Sequence, residues 1–227
     1  EMLGKVFERM LDVTERKSKG AFYTPREIVH YMAQQSLLYF IETELQKESV
    51  QNEDLETLIH YGEHIIDKDI AIEEGRLSQT ANKQQIPDSI RKNAEVIDQI
   101  LENLKICDPA VGSGAFPVGI MNEIVKLRKM LTPFIKNEKA DERSAFRFKS
   151  NAIQNSIYGV DIDAGAVEIA KLRLWLSLVV DEERIDNIEP LPNLEYKIVQ
   201  GNSLINIPDG TVINDALATE IEKITTA

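Results

Sequence analysis

Hydrophobic positions recur first at helical spacing and then, from about residue 104, in short runs that alternate with helical stretches. Residues 1–13 place Met2, Leu3, Val6, Phe7, Met10 and Leu11 on one helical face, and the polar break ERKSKG follows at 15–20. The segment TPREIVHYMAQQSLLYFIETEL opens with a helix-start pattern. Thr24 can cap, Pro25 suits the first helical position, and Glu27, three residues after Thr24, completes a capping box. Ile28, Tyr31, Met32, Leu38 and Ile41 are expected to form the buried face of that helix. Residues 46–103 are mostly polar, with helical periodicity only at Leu55, Leu58 and Ile59 and again at Val96, Ile97, Ile100 and Leu101. They read as an α-helical insertion, loosest around EEGRLSQTANKQQIPDS at 73–89.

The pattern then changes period. LKIC (104–107) predicts a short strand, DPAVGSG a turn, and AFPVGIMNEIVKLRKML a helix with Phe116, Ile120, Ile124, Leu127 and Leu131 on one face. SIYGVDID predicts a second strand, AGAVEIAKLRLWLSLVVD a second helix capped by Asp163, and LEYKIVQGN (194–202) a third strand. Residues 211–225 are expected to be helical. Strand, turn and helix repeated in this way imply an α/β fold with a Rossmann-like, doubly wound parallel sheet. The expected organisation is 1–45 as N-terminal helices, 46–103 as the insertion, and 104–227 as part of the sheet domain.

Charge narrows the function classes. The net charge of -12 opposes a surface built mainly to grip a phosphate backbone. A single cysteine, Cys107, excludes an internal disulfide, fits a reducing compartment and reads as a small buried residue at a strand end. The most apolar run, LWLSLVV at 174–180, is far shorter than a membrane span, so a cytoplasmic protein is expected. The start at Glu1 rather than Met gives the expectation of a piece of something longer. HYGEH (60–64) matches an inverted zinc-peptidase spelling, but Gly62 weakens a helix there and no third ligand is evident, so no metal is expected. Trp175 reads as core, and Arg16, Lys17 and Lys19 as a solvated loop.

Ligands of open α/β sheets bind beyond the carboxyl ends of the strands, and each predicted strand here ends in a polar group. These are Asp108, then Asp161 and Asp163, then Asn202. The pair Gly112 and Gly114 follows the first strand, but the loop is neither G-x-G-x-x-G nor a Walker loop. A pyrophosphate needs N–H donors and positive charge, and Asp108 at the loop entrance would repel it. An ammonium or sulfonium would be welcomed there, and Asp161 is placed to accept from ribose hydroxyls. A cationic amino acid joined to a nucleoside without phosphate meets these demands, which describes S-adenosylmethionine. An NAD-binding oxidoreductase domain is the rival that Asp108 opposes.

DPAVGSGAF resembles the first motif of amino-type DNA methyltransferases that modify adenine N6. GVDID resembles their second motif, and GAFYTP (20–25) the motif that precedes the first in their gamma order. That order, with the insertion and AKLRLWLSLVVD, is most similar to the methylase half of type IIG restriction–modification enzymes. The resemblance covers 14–45 and 104–206. It implies a class I methyltransferase fold with S-adenosylmethionine as cofactor and double-stranded DNA as partner, met through segments outside this chain. It also implies site roles. Thr24 and its helix start would meet the methionine carboxylate, and Asp108, Ala110, Gly112 and the neighbouring Gly114 the methionyl amino group and sulfonium. Asp161 would hold the ribose, Ile162 pack on adenine, and Asn202 with Ser203 stand for the third motif, where an aspartate is more usual. The family's catalytic Pro-Pro motif is not found: no Pro-Pro pair occurs in the chain, and EPLPN (189–193) fits neither pattern nor place. Methyltransferases acting on RNA or on protein glutamine share the first motifs and remain an alternative.

Overall fold

The computed structural model describes Val6 and residues 24–45, 50–73, 85–135, 143–180 and 194–205. The helical pattern at 1–13 (Val6 apart), the basic residues at 16–19, residues 20–23 of GAFYTP, residues 74–84, EPLPN at 189–193 and the helix expected at 211–225 lie outside them.

Helix α1 runs Arg26–Glu44. It starts one residue later than the capping pattern suggests: Pro25 is the N-cap and no side chain caps the helix. The Pro25 carbonyl accepts from the N–H groups of Ile28 and Val29, both at 3.1 Å. Thr24 therefore lies one residue before the N-cap and makes no capping bond. The buried stripe also differs. Val29, Ala33, Gln34, Leu37 and Ile41 face inward, whereas Ile28, Tyr31 and Met32 are 49%, 61% and 47% exposed. Ile41 is buried as expected and Leu38 half-buried, but in the first half of the helix the stripe is rotated by one residue, about 100°, because α1 docks through Val29 onto a glycine of a later helix.

The described residues of 46–103 are largely helical, as expected: α2 (Asn52–Glu56), a π-helical turn (Thr57–Tyr61), α3 (Gly62–Glu73), α4 (Asp88–Lys92) and α5 (Ala94–Asn103). Its sparse apolar positions are not filler. Leu55, Leu58, Ile59, Ile90, Ile97 and Leu101 are fully buried in one cluster with Leu37 and Ile41 of α1. Ile124, Leu127 and Leu131 of α6 (Ala115–Leu131) complete it. Helix α6 matches its predicted span, but Phe116 and Ile120 are only half-buried.

The sheet has three parallel strands, β1 (Ile106–Asp108), β2 (Ile157–Asp161) and β3 (Ile198–Gln200), in the order β1-β2-β3. Asp108 stands opposite Gly159, and Asp161 opposite Gln200, so the strand ends form one polar edge. Helix α7 (Ala145–Asn151) and a second π turn (Ala152–Ser156) lead into β2, and α8 (Ala164–Val179) follows it. A second cluster packs α8 on the sheet through Val111, Ile157, Val167, Ala170, Leu174 and Ile198. Cys107, expected buried, is exposed: β1 packs chiefly on β2, and no described helix makes an extensive contact with its other face. The strands step in one direction, and the reversal of order that defines a doubly wound sheet is not found among the described residues. The architecture shown is therefore α/β, mostly helical, with a small parallel sheet.

Asp98 of α5 is buried between two arginines. Arg128 of α6 donates to it from Nε at 2.9 Å and Nη2 at 3.1 Å, and Arg143 from Nη1 at 3.1 Å and Nη2 at 2.8 Å. Glu102 pairs with Arg128 at 3.2 Å, and both guanidiniums lie over the Phe148 ring, at 4.4 and 5.0 Å. The charges balance and the carboxylate is fully hydrogen-bonded, which is what burial of ions requires.

Candidate functional site

The loop after β1 is held open by backbone bonds to β2. Val111 N–H, three residues past the end of β1, donates to the Val160 carbonyl at 2.9 Å. Gly112 N–H donates to Asp161 Oδ2 at 2.7 Å, and Gly114 N–H to the Val111 carbonyl at 2.9 Å. Gly112 and Gly114 have φ of 51° and 81°, left-handed conformations that favour glycine. Their second roles differ. A Cβ on Gly112 would meet nothing within 4 Å, so its face is open to a ligand. A Cβ on Gly114 would lie 3.1 Å from both Cα and Cβ of Ala170, so this glycine lets the loop settle on α8.

Two carboxylates flank the loop in unequal states. Asp161 uses both oxygens: Oδ2 holds Gly112, and Oδ1 accepts from Asp163 N–H at 2.9 Å. Each oxygen keeps a second acceptor position. Asp108 accepts from Ala110 N–H through Oδ1 at 3.0 Å, while Oδ2 is buried with no partner. Burial pushes the Asp108 carboxyl above its ordinary value; the Ala110 N–H works against this, and the negative charge of Asp161 adds to it.

The remaining sequence candidates fall around this loop. Ile162 follows β2 and is 58% exposed, its carbonyl accepting from Gln200 Nε2 at 3.1 Å. Asn202 follows β3, and its Oδ1 accepts from Leu204 N–H at 3.0 Å. Ser203 Oγ donates to the Pro109 carbonyl at 2.7 Å, so the end of the third strand is tied to the first loop. Asp163 Oδ1 caps α8 through Ala166 N–H at 2.9 Å. Thr24 stands across a cleft lined also by Arg26 and His30 of α1, Ala115 and Asn122 of α6, and Arg173 of α8. Arg173 reaches back to the loop, donating to the Ser113 carbonyl at 2.7 Å. The structure thus gathers Asp108, Ala110, Gly112, Asp161 and Ser203 at one edge; Thr24 lines the separate cleft between α1 and α6, which Arg173 connects to the loop at Ser113.

Sequence reasoning missed Arg173, the clasp of Asp161 on Gly112, and the Ser203–Pro109 link. Only the first had a signal, a lone cation inside the apolar run LRLWLSLVV. The HYGEH residues are engaged elsewhere. His60 Nδ1 lies 3.1 Å from Gln34 Oε1, and Glu63 pairs with Lys126 at 2.8 Å, which holds the Glu63 carboxyl below its ordinary value. Trp175 is half-buried, with its indole Nε1 enclosed and without a partner.

Residues 81–206 match the family described as the MmeI DNA-methyltransferase domain. The chain belongs to that family. Asp108, Ala110, Gly112, Gly114, Asp161, Ile162 and Asn202 all fall inside the matched span, and Thr24 lies before it. A Methanocaldococcus jannaschii protein named as a type II restriction enzyme and methyltransferase is 33% identical over 214 residues. That alignment covers 90% of this chain, and the chain spans 16% of the relative's length. The expected kinship with restriction–modification methylases is therefore met. Among the described residues no helix is long and apolar enough to cross a membrane.

Proposed function

We propose that this chain is the S-adenosylmethionine-binding part of a DNA adenine-N6 methyltransferase of a restriction–modification system, acting on double-stranded DNA in the intact protein. One observation carries the reading: Asp108 Oδ2 is buried beside an open glycine loop and has no hydrogen-bond partner. A buried, unsatisfied carboxylate oxygen is costly, and a cationic donor relieves it, whereas a phosphate would add a third negative group beside Asp108 and Asp161.

The residues fit the group. Asp108 would receive the methionyl ammonium, with the open face of Gly112 and the Ala110 backbone beside it. Asp161 has acceptor positions left for ribose hydroxyls, and exposed Ile162 offers an apolar surface to adenine. Asn202 stands at the next strand end. Across the cleft, Thr24 and the first N–H groups of α1 suit a carboxylate. The cofactor, when bound, supplies a methyl group on a sulfonium sulfur. This chain's own part is to bind, orient and desolvate that group. The three strands are read as one half of a Rossmann-like doubly wound sheet.

Calorimetric titration tests the reading: S-adenosylmethionine and S-adenosylhomocysteine are expected to bind the folded chain. Absence of heat at millimolar ligand overturns it. The chain has no Pro-Pro pair to carry the family's base-holding motif, so no methyl transfer to DNA is expected from it. Labelled-methyl incorporation above background would overturn that second part.

A further inference from the structure

Helix α1 reaches the cleft over one close crossing with α6. A Cβ at Gly119 would run into Cγ1 of Val29, so the two backbones approach as they do only because position 119 has no side chain. One turn further along α6, the buried carboxylate of Glu123 grips α1. Its Oε1 lies 2.7 Å from His30 Nδ1, and its Oε2 accepts from Gln34 Nε2 at 3.2 Å. Gln34 is itself fixed, donating to the Ile59 carbonyl at 3.3 Å and meeting His60 at 3.1 Å. Thr24 precedes α1 on the same chain just before its N-cap Pro25, and Thr24, Gly119 and Glu123 line the same cleft.

We propose that Gly119 and Glu123 are positioning residues for the methionyl end of the methyl donor: they seat α1 so that Thr24 and the first helical N–H groups face the Gly112–Gly114 loop. This rests on the cofactor reading above. A side chain at 119 lifts α1, because a buried valine in a helix has one strongly preferred rotamer and cannot swing aside freely. The wall that recedes is the one facing the amino-acid carboxylate. The nucleoside side, at the ends of β2 and β3, is built from other elements and stays in place.

Two ligands separate these effects: S-adenosylhomocysteine, which carries the amino-acid group, and methylthioadenosine, which lacks it. Both are titrated against the 227-residue chain by calorimetry. Gly119→Ala is expected to weaken S-adenosylhomocysteine about tenfold while leaving methylthioadenosine within about twofold. Alanine is the better helix former, so helix propensity cannot account for a loss. Adding Val29→Ala, which removes the opposing methyl group, is expected to restore the homocysteine ligand's affinity. Glu123→Gln keeps the volume but offers one acceptor oxygen where two are used, and should give a smaller loss with the same selectivity. It carries the comparison even if Gly119→Ala does not fold. Equal weakening of both ligands, no weakening of either, or failure of Val29→Ala to rescue a folded Gly119→Ala overturns the proposal. A wild-type chain that binds neither ligand overturns the cofactor reading instead, before any variant is made.

Discussion

Asp108 and Asp161 are the same residue type at adjacent strand ends, yet the loop satisfies one and leaves the other half-paired. That inequality makes Asp108 the residue on which ligand charge acts. Its carboxyl sits above the ordinary value, so lowering the pH protonates it within the folded chain and removes the charge that an ammonium needs. Affinity for S-adenosylhomocysteine should therefore rise with pH through the Asp108 titration and level off above it. Binding within that window should release protons, visible as a dependence of calorimetric heat on the buffer. Asp108→Asn keeps an acceptor for Ala110 but loses the charge, and should weaken binding about ten- to a hundredfold and abolish the pH dependence. The linkage sign for folding is opposite. A carboxyl raised in the folded state favours the fold as pH falls, so the unliganded variant should be at least as stable at neutral pH. An Asp108→Asn chain that binds with unchanged affinity would remove the carrying observation.

At the level of elements, the period of the hydrophobic pattern identified α6, α8 and three strands, because each is long enough or sharply enough bounded by turn residues to be unambiguous. The Asp–Pro and Gly–Ser–Gly spelling likewise located the loop. The face of α1 was not legible. Ile28, Tyr31 and Met32 are on average bulkier than the Val29–Ala33–Leu37 stripe that is buried, and the crossing at Gly119 favours the smaller set. Cys107 was misjudged for a related reason, since burial at a strand depends on what covers it. The insertion hid its role because buried ions look like surface charge in sequence. Asp98, Arg128 and Arg143 come from three separate segments and meet only in the fold. Burial alone would raise the Asp98 carboxyl, and hydrogen bonds from Arg143 and Arg128 overcome it and hold the group low. Its contribution is thus present above the unfolded-state value and lost as pH falls through the lower folded one. Asp98→Ala leaves two arginines facing a void, and should cost about 3–5 kcal/mol in urea unfolding at neutral pH. A loss within a few tenths of a kcal/mol would show that the cluster is dispensable.

On the scale of the whole molecule, the two apolar clusters share one helix. Helix α6 places Ile124, Leu127 and Leu131 in the helical cluster and Met121 in the sheet-side cluster, while Glu123 between them holds α1. Ile106 of β1 also packs on the helical cluster, so both sides bury apolar surface against shared elements. Loss of one should expose the shared helix and carry the other with it, giving a single cooperative transition. The chain offers a direct check, because its one tryptophan, Trp175, lies on α8, whose Leu174 and Leu178 belong to the sheet-side cluster, whereas helical circular dichroism reports on both halves. Urea curves followed by tryptophan fluorescence and by circular dichroism should share one midpoint. A fluorescence transition clearly separated from the helical one would mean that α1 and the insertion form an independent bundle. Coupling of α1 to the cofactor loop through α6 would then have to be local rather than a property of one folded unit. Saturating S-adenosylhomocysteine extends the test: a ligand contacting both sides raises the two midpoints together, while one held only by the sheet raises the fluorescence midpoint alone in a decoupled chain.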